Sequence, residues 1–258
     1  RNRLKIPMPD RKLDIIIPVY NEGENISAVL DALAREVRTP FRVLICYDFD
    51  EDNTLDAIRC YPREKVDIVT VKNHGNGVHD AVITGFEATD TPAVLVLPAD
   101  DDYNAGRIDH MTALLLEGCD IVCSSRFLPG GKMAGCPWLK AVLVRTASFI
   151  LFLFARLPCH DATNGFRLFS RRVVDTIEIE SSIGFTYSIE LLVKSHRMGW
   201  RIEEVPVHWY ERGRDQGQSR FRVLKWLPDY LRWFFYVFAT TWLCRGPETV
   251  PFKTQAEG

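Results

Sequence analysis

Short apolar runs alternate with helix-like segments through the first half of the chain, and this alternation constrains the fold more than any other feature. Between residues 24 and 37, apolar side chains recur at helical spacing, which predicts an amphipathic helix packed on a sheet. Five apolar runs predict β-strands, at residues 13–19, 41–47, 66–71, 93–97 and 120–124. Strands that alternate with helices form βαβ units, so we predict an α/β fold with a Rossmann-like, mostly parallel sheet flanked by helices.

The composition fits one large folded domain. The 258 residues are 47% hydrophobic and 26% charged, which excludes a disordered or collagen-like chain. The formal net charge of −2 lacks the basic surplus that binding to a phosphate backbone requires, so no nucleic-acid partner is expected. The seven cysteines form no CxxC pair and no secretory stretch precedes them, which predicts reduced thiols in a cytoplasmic protein.

Acidic residues cluster directly after three of the predicted strands. The chain reads PVYNE at 18–22, YDFDED at 47–52 and PADDD at 98–102. Open α/β sheets bind ligands outside the carboxyl ends of their strands, so these ends predict one ligand site. A helix-capping role would explain a single acidic residue of this kind, but it explains three such ends poorly.

The third of these ends suggests a metal site. Asp100 and Asp102 are two residues apart, and in a turn both carboxylates can meet one ion while Asp101 points elsewhere. Carboxylate oxygens are ligands that Mg²⁺ and Mn²⁺ prefer, and such ions bridge the phosphates of nucleotides, so we expect Mg²⁺ or Mn²⁺. The six histidines show no zinc-ligand spacing, so zinc is not expected.

Arginines supply the complement of a diphosphate, because a guanidinium binds phosphate oxygens bidentately. Arg126 follows the fifth predicted strand, and Arg167 ends the segment DATNGFR. Arg212 and Arg220 flank a loop that contains Gly and Gln, and we expect this loop to order over bound substrate.

Two apolar, aromatic-rich stretches follow, at residues 138–157 and 231–244. Each is too short between its charged residues to cross about 30 Å of hydrocarbon as a helix. Aromatic segments flanked by Arg and Lys suit the interfacial region of a bilayer, which predicts contact with a membrane surface. Packing of the two stretches on each other or in a dimer interface stays open as an alternative.

Several motifs occur in a specific order along residues 13–222. They read IPVYNE at 17–22, YDFDED at 47–52, NHGNGVHDA at 73–81, ADDD at 99–102, SRF at 125–127 and DATNGFR at 161–167. With these motifs the chain resembles family 2 glycosyltransferases of the GT-A fold, and among them the dolichol-phosphate mannose synthase and polyprenyl-phosphate sugar transferase group.

The resemblance implies a domain organisation. It implies a single GT-A catalytic domain over residues 1–220, with a nucleotide-sugar-binding half at 13–128 and an acceptor-binding half at 129–220. An aromatic-rich interfacial helix and tail would occupy residues 221–258, so that amphipathic helices complete the carboxy-terminal part of the fold.

The resemblance also implies roles for individual residues. Those implied to bind the nucleotide sugar are Pro18, Tyr20, Glu22, Asp48, Asn73, Ala99, Asp100, Arg126, Arg212 and Arg220. Asp100 and Asp102 are implied to hold the metal. The implied catalytic set is Asp100, Asp102, Arg126, Asp161 and Glu190, with Asp161 and Glu190 on the acceptor side. Pro98 stands where the family's DxD motif has its first Asp, which leaves the metal fewer carboxylates.

The implied reaction is metal-dependent transfer of a hexose, of the mannose or glucose type, with inversion. The donor would be a GDP- or UDP-hexose and the acceptor a polyprenyl or dolichyl phosphate, at the cytoplasmic face of a membrane to which the protein binds peripherally. Two alternatives stay open: a GT-A enzyme acting on a polysaccharide or small-molecule hydroxyl, and a nucleotide-sugar-binding protein without catalysis. Homo-oligomerisation is also left open.

Overall fold

The computed structural model describes residues 11–62, 64–210 and 223–254, and for 223–227 the description covers the backbone alone. The strands of its main sheet are β1 (Leu13–Pro18), β2 (Phe41–Tyr47), β3 (Ile68–Lys72), β4 (Ala93–Val96), β5 (Ile121–Ser125), β7 (Arg167–Ser170) and β8 (Ile202–Pro206). They lie in the order β3-β2-β1-β4-β7-β5-β8. A separate parallel pair consists of β6 (Lys132–Ala134) and β9 (His208–Tyr210).

Most strands of the main sheet are parallel to their neighbours, which confirms the predicted α/β fold. The exception is β7, which runs antiparallel to both β4 and β5. The first residue of β7, Arg167, pairs with Val96 of β4 and with Cys123 of β5. The segment that precedes β7 therefore lies near the carboxyl ends of β4 and β5.

Helices cover both faces of the sheet. They are α1 (Ile26–Glu36), α2 (Asn53–Cys60), α3 (Gly77–Glu87), α4 (Ile108–Leu116), α5 (Trp138–Leu153), α6 (Arg171–Thr176), α7 (Thr186–Arg197) and α8 (Val223–Trp242). One apolar core includes residues of α1, α2 and α4, and the other includes residues of α3, α6 and α7. Parts of α5 and α8 also reach the second core, through Leu151 and Trp233.

The alternation of side chains along β1 explains why the sheet has two cores. Ile15 and Ile17 pack into one core and Ile16 into the other, and all three are fully buried. Full burial of such a side chain contributes about 1.5–3 kcal/mol. Gly85 lets α3 approach the sheet closely, because a Cβ at this position would lie 2.8 Å from a methyl carbon of Ile16.

The predicted strands begin and end within two residues of the observed ones. The two aromatic-rich stretches fall largely in α5 and α8, and α8 contains Pro228. In the part of the chain that the structure describes, no helix combines the length and the apolar character needed to cross a bilayer. All seven cysteines are free, in agreement with the expected thiols.

Candidate active site

The sheet order places the acidic strand ends side by side. The chain runs outward from β1 to β2 and β3, and then returns to place β4 on the other side of β1. Ligands of open α/β sheets bind at such a reversal of strand order, outside the carboxyl ends of the strands. The residues that follow β1, β2 and β4 thus surround one edge of the sheet, as the sequence predicts.

The turn after β1 is held by the first turn of α2. The backbone N–H of Asn21 donates to Asp52 (3.0 Å), and that of Glu22 donates to the Thr54 hydroxyl (2.9 Å). Asp52 also caps α2, since its carboxylate accepts from the backbone N–H of Thr54. Asn21 adopts a left-handed φ of 55°, which Asn tolerates better than most residues. Asp52 is therefore a structural member of the acidic cluster.

Residues 18–22 carry three of the predicted donor-binding residues. Pro18 is the last residue of β1, and Glu22 accepts a hydrogen bond from the side chain of Asn25 (2.7 Å). Tyr20 is exposed, and its ring meets that of Phe49 edge-on with centroids 5.2 Å apart. An accessible aromatic ring therefore lies beside the turn.

Asp48 and Asn73 are in direct contact at the end of β2. The carboxylate of Asp48 accepts from the Asn73 side chain (2.7 Å) and from the backbone N–H of Gly77 (2.9 Å). Gly77 begins α3 with a φ of 85°, which favours glycine. The negative charge of Asp48 thus stabilises the amino end of α3.

The three consecutive acids after β4 differ in their exposure. Asp100 is half-buried and Asp102 is exposed, whereas Asp101 is buried with 6% exposure. The Asp101 carboxylate accepts from the backbone N–H (3.0 Å) and the side chain (2.8 Å) of Asn104. Burial raises the pKa of Asp101 to about 7. Asp100 and Asp102 are therefore the more accessible carboxylates of the turn, which begins at buried Ala99.

Arg126 and Asp161 form a bidentate ion pair at the end of β5, in which the Asp161 side chain is fully buried and the Arg126 side chain is 10% exposed. Nε and Nη2 of Arg126 donate to the two Asp161 oxygens (2.7 and 2.8 Å), and Nη2 also donates to Thr163 (2.8 Å). Burial alone would raise the pKa of Asp161, but the Arg126 guanidinium holds it below its ordinary value. Asp161 is thus an ionised partner that fixes the orientation of Arg126.

Cations and aromatic rings gather around Arg126. The Arg126 guanidinium lies 5.4 Å from the ring centroid of Phe127 and 5.9 Å from that of Trp209. Lys140 lies 5.1 Å from the Trp209 ring, and Arg145 lies 5.0 Å from the Phe127 ring. We call these five residues the basic–aromatic cluster. Sequence reasoning missed Lys140 and Arg145 as site residues, because they stood out only as charges that interrupt an apolar stretch.

Glu190, on α7, is fully buried. Its carboxylate accepts from the backbone N–H groups of Glu180 (2.7 Å) and Ser181 (2.8 Å) and from Nζ of Lys194 (2.6 Å). Lys194 is fully buried as well, and it also pairs with the Glu180 carboxylate (2.8 Å). Glu190 therefore stabilises the segment before α7 through buried hydrogen bonds.

The expectation that Arg167 complements a diphosphate is wrong. Its side chain is fully buried between β4 and β5, and the guanidinium donates to the backbone carbonyls of Ser188, Asp161 and Ala162. These bonds fix the turn that carries Asp161, so Arg167 cannot reach a ligand. Arg212 and Arg220 lie outside the described residues.

The residues that could hold a divalent ion are Asp100 and Asp102. Within the described residues, there is no group of three or more His, Cys, Asp or Glu side chains able to hold a metal. The two carboxylates supply hard oxygen ligands, and Mg²⁺ is commonly bound by one or two carboxylates together with substrate phosphates. We call residues 98–104 the acidic turn. This turn therefore fits an ion that binds together with a diphosphate.

Comparison with known proteins gives a consistent assignment. Residues 14–178 match the model of the family described as glycosyl transferase family 2. The chain is 24% identical to the polyprenol monophosphomannose synthase of Mycolicibacterium smegmatis, over 84% of this chain and 88% of that protein. It is also 24% identical to the dolichol-phosphate mannosyltransferase of Pyrococcus furiosus, over 86% of this chain but only 64% of that longer protein.

Among solved structures, the glucosyl-3-phosphoglycerate synthase of Mycobacterium tuberculosis, in complex with Mn²⁺, UDP and glucosyl-3-phosphoglycerate, has a similar fold. The TM-score is 0.62 at 18% identity, over 95% of this chain and 87% of that one. Because the family model covers more than half of the chain, the chain belongs to glycosyltransferase family 2 and is a nucleotide-sugar glycosyltransferase with the GT-A fold.

Proposed function

We propose that this enzyme transfers a mannosyl or glucosyl group from a nucleoside diphosphate sugar to a polyprenyl phosphate, at the cytoplasmic face of a membrane. The observation that carries the proposal is the basic–aromatic cluster, which joins the buried Arg126–Asp161 pair to α5, a helix with an exposed apolar surface. The names of the two relatives, a polyprenol monophosphomannose synthase and a dolichol-phosphate mannosyltransferase, support the same acceptor class.

The donor would bind at the ends of β1, β2 and β4. We assign the base and ribose to the turn at Pro18, Tyr20 and Glu22 and to the pair of Asp48 and Asn73, with Ala99 at the base of the acidic turn. Tyr20 offers an exposed ring for stacking. Since Asp48 also fixes the start of α3 (2.9 Å to Gly77 N–H), binding there would place the nucleotide against a helix amino end.

Asp100 and Asp102 would hold Mg²⁺ or Mn²⁺ together with the diphosphate of the donor. When bound, such an ion supplies positive charge that stabilises the leaving nucleoside diphosphate. Mn²⁺ with UDP in the glucosyl-3-phosphoglycerate synthase supports this assignment. Pro98 removes one carboxylate of the family's motif, so we expect the ion to bind weakly until the diphosphate contributes its oxygens.

The acceptor phosphate would bind at Arg126, with Lys140 and Arg145 nearby. A phosphate oxygen is already an anion, so its attack on the anomeric carbon requires no general base. The bond from that carbon to the diphosphate oxygen breaks as the new bond forms. Asp161 and Glu190 are buried and already bonded, so we assign them to positioning: Asp161 orients Arg126, and Glu190 braces the segment before α7.

The membrane contact would come from α5 and α8. Both helices expose large apolar side chains; the exposed fraction is 76% for Trp138 on α5 and 63% for Phe235 on α8. An interfacial location would keep the polyprenyl chain in the lipid while its phosphate meets the basic–aromatic cluster. On this basis, we propose residues 1–220 as the catalytic domain and 221–258 as the interfacial helix and tail.

A second candidate is transfer to a small hydroxyl acceptor that carries a phosphate. It is favoured by the fold neighbour, whose name and bound molecules include glucosyl-3-phosphoglycerate, and by a cluster whose cations suit any phosphate. A hydroxyl nucleophile requires a base, and Asp102 is the exposed carboxylate available for it. In this case, the apolar surfaces of α5 and α8 would meet a second copy of the chain.

One experiment separates these candidates. Release of nucleoside diphosphate is measured with Mg²⁺ or Mn²⁺ across GDP- and UDP-sugars, with polyprenyl phosphate in detergent, with 3-phosphoglycerate, or with no acceptor. Release that depends on polyprenyl phosphate is the expected result, and it also identifies the donor. Release that depends on 3-phosphoglycerate supports the second candidate, and nucleotide binding without any release under all conditions contradicts both.

A further inference from the structure

The acidic turn is joined to β9 by a buried asparagine. Asn104 is 3% exposed and donates from its side chain to the Asp101 carboxylate (2.8 Å). The same amide donates to the backbone carbonyl of His208 (2.8 Å), and its oxygen accepts from the His208 N–H (3.0 Å). The amide thus pairs with the main chain of β9 as a neighbouring strand would, while it also holds the acidic turn.

This arrangement explains why the position requires an amide. A carboxylate could accept from the His208 N–H, but it could not donate to the His208 carbonyl or to Asp101. An apolar side chain would leave the His208 N–H and carbonyl without these partners, at a cost of about 1–3 kcal/mol for each group left unsatisfied, while Asp101 would keep the bond from the Asn104 backbone N–H (3.0 Å). Asn104 is separated from His208 by 104 positions in sequence, so no local motif marks it.

The strand that Asn104 holds also contacts the proposed acceptor site. Trp209, the next residue of β9, lies over Arg126 (5.9 Å) and Lys140 (5.1 Å) of the basic–aromatic cluster. Tyr103 and Tyr210 meet edge-on beside it, with ring centroids 5.0 Å apart. Asn104 therefore contacts His208, and Tyr103 contacts Tyr210, the two residues on either side of Trp209.

We propose that Asn104 is a positioning residue for the transfer reaction, which sets the separation between the acidic turn and the basic–aromatic cluster. This inference rests on the proposed function, in which the turn holds the donor diphosphate and the cluster holds the acceptor phosphate. The reacting atoms must approach to about 3–3.5 Å, and a misplacement of about 1 Å costs about 100-fold in rate. Loss of the link should therefore lower kcat with little effect on donor binding.

The test compares Asn104→Ala with Thr112→Val. Thr112 is equally buried, and its hydroxyl donates to the backbone carbonyl of Ile108 within α4, so its variant controls for the loss of a buried hydrogen bond. We expect Asn104→Ala to lower kcat for transfer at least about tenfold, with the donor KM and the Kd for nucleoside diphosphate with Mn²⁺ changed less than about threefold. Thr112→Val should leave all three constants unchanged. An unchanged kcat in Asn104→Ala, or an equal loss in both variants, overturns the proposal.

A double-mutant cycle with Trp209→Ala tests the route through β9. If Asn104 acts by holding Trp209, then Asn104→Ala should add little to the loss caused by Trp209→Ala, whereas losses that multiply overturn the proposal. Should Asn104→Ala fail to fold, Asn104→Ser carries the same expectations, because its hydroxyl is too short to bridge both partners. Lack of lipid-dependent release by the wild-type enzyme would refute the proposed function instead, and it is seen before any variant is made.

Discussion

The proposed donor side, which follows β1, β2 and β4, and the proposed acceptor side, around Arg126 and Glu190, are built from different kinds of contact. On the donor side, carboxylates accept from backbone N–H groups of neighbouring loops, as Asp52 does from Asn21 and Asp48 from Gly77. On the acceptor side, buried charges pair with each other, as in Arg126–Asp161 and Glu190–Lys194. Removal of one partner from a buried ion pair costs about 3–5 kcal/mol, far more than loss of an ordinary hydrogen bond. A variant of an accessible carboxylate such as Asp100 should therefore lose activity while keeping stability, and variants of the buried ion pairs should lose both.

The largest effect is expected on the donor side, from Asp100→Ala. Loss of this carboxylate should lower transfer by at least about 100-fold, the scale seen when one group that stabilises developing charge is removed. The melting temperature should change by less than about 2 °C, since Asp100 is half-buried at the accessible edge of the sheet. Activity assays and thermal melts at matched concentration measure both effects.

Asp50→Ala is the matched control for Asp100→Ala. Asp50 belongs to another acidic strand end, but it pairs with Lys72 at the surface, where 64% of its side chain is exposed. Its replacement should preserve transfer. Full activity in Asp100→Ala would contradict the metal assignment. A large fall in the melting temperature of this variant would contradict the predicted difference in stability between the two sides.

On the acceptor side, Asp161→Ala should destabilise the protein by about 3–5 kcal/mol, because it leaves the Arg126 guanidinium buried without its partner. For a chain of this size, that corresponds to a fall in melting temperature of about 10 °C. Asp56→Ala, which breaks an exposed pair with Arg59, should change it by less than about 2 °C. Equal melting temperatures for the two variants would show that the acceptor side does not depend on its buried pair.

The apolar surface of α5 can be tested apart from the buried pairs. Trp138→Ser combined with Phe149→Ser should weaken binding to vesicles at least about tenfold, since each exposed ring would bury apolar area in the interface. The control is Leu116→Ser, which changes an exposed apolar residue on α4. Liposome flotation and sedimentation measure the outcome. Unchanged flotation together with a change in oligomeric state would assign this surface to a dimer.

The smallest expected effect is a pH dependence of stability from His79, which lies between the two sides. Its Nε2 lies 3.1 Å from the Ser181 hydroxyl, in the segment that Glu190 braces. Burial lowers the pKa of His79 below its ordinary value of 6.5, although the negative charges of Asp80 and Glu190 act to raise it. His79 therefore binds a proton more readily in the unfolded chain than in the folded protein. Its contribution to the free energy of unfolding is then fully present above pH 6.5 and decreases as the pH falls below that value.

The variant His79→Gln should flatten this dependence. Between pH 7 and pH 5.5, the wild-type melting temperature should fall more than that of the variant. His110→Gln, at an exposed position of α4, should behave as the wild type does. Parallel pH profiles for wild type and His79→Gln would remove His79 as the source of the effect.

The sequence predicted the arrangement of the strand ends more completely than the contacts around Arg126 and Glu190, for a physical reason. Strand ends are visible in sequence, because a buried parallel strand is a continuous apolar run and the residues after it face the ligand edge. The two-residue spacing of Asp100 and Asp102 was enough to predict that Asp101 has a different role from these two residues. The acceptor side depends on contacts between distant segments, which no local pattern reveals.

Particular residues illustrate this limit. Arg167 has the residue type of a phosphate ligand, but β7 inserts between β4 and β5 and buries it. Lys140 and Arg145 gain significance only from contact with Trp209 and Phe127. Strands β6 to β9 and the antiparallel direction of β7 were likewise absent from the sequence prediction, because each depends on pairing across the fold.

The position of β7 also determines when the site can form. This strand, at Arg167–Ser170, supplies hydrogen-bond partners to both β4 and β5, which are synthesised long before it. A chain that ends near residue 128 would leave the edges of β4 and β5 that face β7 unpaired, and unpaired edges of this kind promote aggregation. The segments proposed to bind the nucleotide sugar therefore cannot form a completed site during synthesis until residue 170 has left the ribosome.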